Sequence, residues 1–84
     1  MYYLYILKCA DETLYTGIAT DVERRVHEHN TSDELGAKYT RTRRPVVLKY
    51  VKEFADRAEA SAAEYKMKQL SRASKLALIK AEGK

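Results

Sequence analysis

"LYTGIATDVERRVHEH", residues 14–29, carries a strand and the helix that follows it, and the rest of the fold is read outward from there. From Asp21 the pattern is helical, with Val22 and Val26 one turn apart marking the face that turns inward. Arg25 and His29 stand three and seven residues beyond Val22, so they share that face. A small chain has a total stability of only about 5–10 kcal/mol. A guanidinium and an imidazole aimed inward are expensive against that total, and they need a reason.

Upstream, "YYLYILKC" (2–9) and "TLYTGI" (13–18) are β-type runs on either side of the polar "ADE", which reads as a hairpin. A turn near Ala10–Asp11 places Tyr5 and Tyr15 opposite or nearly opposite each other, rings within reach. Such a pair ordinarily just stabilises a sheet. Gly17 ends the second strand, where glycine also permits a close backbone approach. Downstream, Thr20 with Glu23 has the spacing of a capping box, and Asn30, Thr31 and Ser32 stop the helix. Residues 31–44 read as a polar, basic loop. "PVVLKYVKEF" (45–54) reads as a third strand with Pro45 at its first position.

Asp56 with Glu59 repeats the capping box before "RAEASAAEYKMKQL" (57–70). Ser71 can cap a last helix, "RASKLALIKAE" (72–82), with Leu76 and Ile79 as its apolar stripe, and the final "GK" is expected to fray. The expected fold is α+β: a small three-stranded antiparallel sheet flanked by three helices, in the order β-β-α-β-α-α. Residues 1–84 form one domain with a core over about 2–80.

The chain has sixteen Lys and Arg against twelve Asp and Glu, a net charge of +4. The excess is modest, but its placement is uneven. "GAKYTRTRRPVVLKYV" (36–51) carries Lys38, Arg41, Arg43, Arg44 and Lys49 with no acid, and Lys66, Lys68, Arg72, Lys75 and Lys80 form a second basic set. Such tracts either make a solvated positive surface or neutralise phosphates. The one cysteine, Cys9, has no internal partner, which suits a reducing compartment. The N-terminal "MYYLYILKCA" lacks a basic n-region and a long apolar run, so neither a signal peptide nor a spanning helix is expected. The reading is a cytoplasmic protein with no membrane partner.

On the long helix, Glu64 shares a face with Ala60, Ala63 and Met67. A carboxylate there calls for a cation, either Arg25 in a fold-shaping salt bridge or a metal ion. Two phenols, an arginine, an imidazole and a carboxylate converging beside a basic loop are the parts for hydrolysing a phosphodiester. A phenol or imidazole serves as base, an arginine holds phosphate oxygens, and a carboxylate positions a divalent ion.

"LYI" (4–6), "YTG" (15–17) and Arg25 ten residues beyond Tyr15 resemble the GIY-YIG endonuclease superfamily. "GAKYTRTRRPV" and "AEASAAEYKMKQLS" look like its small stand-alone bacterial members and the nuclease domain of enzymes that cut branched DNA. The resemblance covers roughly residues 2 to 80. It implies a metal-dependent endonuclease acting on DNA that is branched, nicked or distorted, of the repair or recombination type. By position, Tyr5 and Tyr15 would flank the attacking water, with Tyr5 the preferred base. Arg25 would bind the scissile phosphate, His29 would sit where relatives carry His or Tyr, and Gly17 would shape the site.

Glu64 would be the only protein ligand to one Mg²⁺ or Mn²⁺. Lys38, Tyr39, Arg41, Arg43 and Arg44 would contact the nucleic acid. Two positions depart from the pattern: Tyr3 stands where the family name has glycine, and Ile18 stands where excision-repair relatives have lysine. The second leaves water activation to the metal, His29 or Lys38. With no room for a separate DNA-binding domain, selectivity would come from the basic loop, a partner protein or a homodimer. The competing readings are a non-catalytic nucleic-acid-binding module of the same fold and a nuclease subunit that needs a partner.

Overall fold

The computed structural model describes residues 1–82, and the terminal "GK" expected to fray lies outside the described residues. The elements are β1 (Tyr2–Lys8), β2 (Leu14–Ala19), α1 (Val22–Thr31), α2 (Lys38–Arg41), β3 (Val47–Phe54), α3 (Arg57–Lys68) and α4 (Arg72–Glu82). The order read from the sequence holds, with the one-turn α2 inside the expected loop as the addition. The sheet is antiparallel with strand order β2-β1-β3. Strand β1 is therefore central and covered on both faces. That is why Leu4, Tyr5, Ile6 and Leu7 are all buried and apolar, without the alternation of a half-exposed strand.

One face of β1 sends Leu4 and Ile6 into a cluster with Tyr50, Met67, Leu78 and Ile79 under α3 and α4. The other sends Tyr5 and Leu7 against Cys9, Val46, Tyr15, Val22 and Val26 under α1. Each fully buried Leu or Ile contributes ~1.5–3 kcal/mol, so these short strands are held mainly by what packs on them. Leu76, expected in the apolar stripe of α4, is 38% exposed, and Leu78 with Ile79 takes the inward place. Among the described residues no helix is long and apolar enough to cross a membrane.

The local signals need three adjustments. The cap of α1 is Asp21, not Thr20: its carboxylate accepts from the Arg24 amide at 3.1 Å. An ionised cap also sits well at the positive end of the helix dipole, which favours Asp over Thr. The helix runs through Asn30 and Thr31 and ends at Ser32. Asn30 is kept helical by a tertiary contact, since its side-chain amide donates to the Val46 carbonyl (3.1 Å) and accepts from the Val46 amide (2.7 Å). Strand β3 begins at Val47, two residues after Pro45. The capping sites at Asp56, which accepts from the Glu59 amide at 2.9 Å, and at Ser71 stand where the sequence places them.

Candidate active site

The register decides which side chains meet. Tyr5 pairs with Gly17, and Tyr15 pairs with Leu7, so the two tyrosines are diagonal neighbours on one face rather than directly opposite. Gly17 lies inside β2, not at its end as the sequence reading has it, because Ile18 and Ala19 continue the pairing with β1, and it explains the placement of Tyr5. A Cβ built there would lie 2.5 Å from the Tyr5 hydroxyl oxygen and 2.6 Å from Cζ, so the ring lies flat across the glycine. With only 1% exposure, Tyr5 is as buried as the aliphatic core.

From α1, His29 reaches the same place and is fully buried. Its Nε2 lies 2.9 Å from the Tyr5 hydroxyl, and its Nδ1 lies 2.9 Å from Thr40 Oγ1. The Ala37 backbone amide also donates to Nδ1, at 3.2 Å. The Thr40 hydroxyl in turn donates to the Ala37 carbonyl at 2.9 Å, and the ring nitrogen that carries the proton sets the direction of the Tyr5 and Thr40 contacts. Burial pushes the imidazole pKa down to about 4, the Arg25 charge adding to the effect, so the ring is neutral at ordinary pH. Bonded to both Tyr5 and Thr40, the neutral ring holds the phenol in place.

The Tyr5 pKa is raised to about 12, first by burial and then by Tyr15, while the neighbouring Arg25 works in the opposite direction. Tyr15 stands edge-on to His29, with ring centres 5.3 Å apart, and stacks on Tyr39 at 5.7 Å. The Arg43 guanidinium covers the Tyr39 ring at 4.0 Å. These stacked groups close one side of the Tyr5–His29 pair.

Arg25, on the inward face of α1 but at its margin, donates to Glu28 Oε1 at 3.0 Å and to the Leu35 carbonyl. The salt bridge to Glu64 that the sequence left open does not form: Arg25 finds its carboxylate one turn along its own helix, on the opposite side of the sheet from α3. Burial works against its charge, but Glu28 and Tyr5 more than offset that, and its pKa is raised. Glu64, half-buried on α3, lies 3.5 Å from Lys68 Nζ. Its charge is the smallest of the influences that raise the Tyr5 pKa. Ala60, Ala63 and Met67 turn inward beside it as expected.

The basic loop divides. Lys38, Tyr39 and Arg41 are exposed on α2. Arg43 is held by Asp11 at 3.0 Å and by the Tyr39 carbonyl at 2.7 Å. Arg44 donates to the His29 carbonyl (2.7 Å) and to Asp33 (3.0 Å), and thereby braces α1. Thr40 and the Ala37 amide were missed in the sequence. Nothing in their periodicity marks them, because they act through a short helix inside what read as a loop.

Among the described residues, no three His, Cys, Asp or Glu side chains gather to hold a metal ion. Glu64 is a lone carboxylate on α3, with Lys68 as its ion-pair partner. That donor set fits a hard, strongly hydrated ion such as Mg²⁺, which takes one carboxylate and fills its shell with water and substrate phosphate. It does not fit a structural zinc, which needs four protein ligands.

The fold and this constellation define a class, a small α+β domain built around two tyrosines on adjacent strands, and comparison with known proteins gives the family. The model of the GIY-YIG catalytic domain matches residues 1–77, and the chain belongs to that family of nucleases. It is 54% identical to a UPF0213 protein of Desulfotalea psychrophila over 99% of this chain and 74% of the relative. It is also 54% identical to a UPF0213 protein of Halobacterium salinarum, over 94% of this chain and all of the relative. The solution structure of a UPF0213 protein from Bacillus halodurans superposes with a TM-score of 0.63 at 44% identity, covering 99% of this chain and 87% of that one. A second solution structure, from E. faecalis, gives 0.65 at 43% identity, over 95% and 83%. These relatives are small stand-alone members of the family.

Proposed function

We propose that the protein is a divalent-metal-dependent endonuclease that hydrolyses DNA phosphodiesters, favouring branched, nicked or distorted DNA. The observation that carries the reading is the buried Tyr5–His29–Thr40 chain with the charge of Arg25 acting on its phenol and an exposed basic turn carrying Thr40. A purely structural tyrosine does not need a buried, neutral histidine bonded to its oxygen.

In this reading Arg25 holds the non-bridging oxygens of the scissile phosphate and stabilises the charge that develops on them. Tyr5 takes the proton of the attacking water through its oxygen, and three features assist. The His29 ring bonds the phenol oxygen, the Arg25 charge lowers the phenol pKa, and the Gly17 contact fixes the ring. Tyr15 orders the far side of the pair. Glu64 would hold Mg²⁺ or Mn²⁺, which supplies charge neutralisation at the phosphate and lowers the pKa of nearby water and phenol. Lys38, Tyr39 and Arg41 contact the flanking strand, and Arg43 and Arg44 place the turn that carries them. Preference for distorted DNA follows from size, since one small domain has little surface for reading bases.

The test is cleavage of labelled flap, junction and single-stranded DNA in Mg²⁺ or Mn²⁺, with Arg25→Ala and Glu64→Gln alongside. Cleavage by the wild type, and its loss in both variants at near-normal melting temperature, is expected. Its rate should climb with pH above neutrality, because a base with a raised pKa gains population as protons are removed. If no substrate is cut, or both variants cut as well as wild type, the nuclease reading falls. Binding without cutting would point to a non-catalytic module, and activity only with an added protein to a subunit.

A further inference from the structure

On the face of the sheet away from Tyr5 and His29, a groove of about 420 Å³ opens between the hairpin end and α4. Its walls carry Lys8 from β1, Lys49 from β3, and Arg72 and Lys80 from α4, and its floor includes Leu14 and Ile79. These four cations come from three elements far apart in sequence, and the catalytic reading uses none of them.

Two features show that the groove is organised. The first is a β-bulge. Ile6 pairs with Tyr50 and Leu7 with Leu48, so Lys49 is the extra residue between two successive partners. Without the bulge Lys49 would face Leu7 and point into the Tyr5–Leu7 cluster. Bulges re-aim side chains, and this one frees Lys49 to line the groove. The second is the hairpin turn. Glu12 takes a left-handed φ of 71°, uncommon for a residue with a side chain. There its carbonyl accepts from Arg72 at 2.7 Å, and its carboxylate pairs with Lys8 at 2.8 Å. Glu12 thus places two of the four cations, while Lys49 and Lys80 make no ion pair among the described residues.

We propose that the groove bounded by Lys8, Lys49, Arg72 and Lys80 is a second seat for a nucleic-acid backbone, so that the domain grips two arms of one branched molecule. This rests on the nucleic-acid reading of the catalytic face and deepens it by naming a source of substrate choice. The molecule measures 28 × 27 × 21 Å. A straight duplex lies along one face of a body this size and leaves the other face untouched. A molecule whose arms diverge can reach both.

The test is salt-dependent binding of the whole chain to a flap DNA and to a single-stranded oligonucleotide, without divalent ion. The variants are Lys49→Gln with Lys80→Gln, the charge-preserving Lys49→Arg with Lys80→Arg, and a control pair at other surface positions, Lys52→Gln with Lys66→Gln. Each lost phosphate contact removes about 0.9 from the log–log salt slope. The groove Gln pair should therefore flatten the flap slope by about 2 and leave the single-strand slope unchanged, while the Arg pair should keep both. Equal urea midpoints show that folding is not the cause. The proposal is overturned if the groove pair binds flap DNA like wild type, or if the control pair lowers the slope as much. A wild type that binds flap DNA but never cuts it sinks the nuclease reading and leaves this one standing. A wild type that binds no DNA sinks both.

Discussion

Gly17 has almost no freedom to change, because the Tyr5 ring occupies the space where its side chain would be. Gly17→Ala must push aside a ring that is itself packed on all sides, at a cost of about 1–3 kcal/mol from overpacking. The expected result is a lower melting temperature and a larger loss of any cleavage activity, since the displaced group is the phenol oxygen. An alanine variant with wild-type melting and turnover would show that the contact does not matter. His29 makes a second prediction. In the unfolded chain its pKa is near 6.5, and in the folded chain burial holds it near 4. Between those values the unfolded chain binds a proton that the folded one does not. Stability is therefore full above pH 6.5 and is lost as pH falls toward 4, by on the order of 3 kcal/mol. Urea midpoints at pH 7.5 and 4.5 measure the fall, and His29→Gln should flatten it. An equal fall in the variant would assign the effect to other groups. Arg25 and His29 were legible as misfits on an apolar helix face. What they hold was not, because Thr40, Ala37 and Leu35 approach from a segment with no periodic pattern.

At the scale of the element, the local signals in the sequence pointed to the right regions and erred at the ends. The strands, the capping site at Asp56 and the extent of α4 were legible, since each depends on residues close in sequence. The start of α1 was not, because Thr20 and Asp21 both have capping chemistry and only the backbone conformation selects between them. Asp21→Ala is expected to cost about 1 kcal/mol, the usual worth of an N-cap, and Thr20→Ala to be near neutral. Thermal unfolding of the two variants decides it; the reverse order would restore Thr20 as the cap. Helix α2 is a single turn, too short to stand alone. It exists because Thr40 is buried beneath α1 and bonded to His29.

For the whole molecule, the ties between α1 and the entry to β3 matter most. Asn30 makes both of its bonds to Val46, and Arg44 donates to the His29 carbonyl. Val46 is buried, so Asn30→Ala leaves its amide and carbonyl without partners, at a cost of about 1–3 kcal/mol. For a domain of this size that is a drop of roughly 4–8 °C per kcal/mol in melting temperature. A shift below 2 °C would mean water replaces the side chain at little cost. Family membership and the order of the strands and long helices were determined by the sequence alone, through short-range periodicity, capping chemistry and motif spacing. Tertiary structure decided the rest: Tyr5 facing Gly17, His29 bonded to Tyr5 and Thr40, Arg25 paired with Glu28 instead of Glu64, and a bulge that frees Lys49. Each of those depends on strand register or on atoms brought together from distant segments. No local pattern encodes such contacts, because the free energy that selects them appears only when the layers pack.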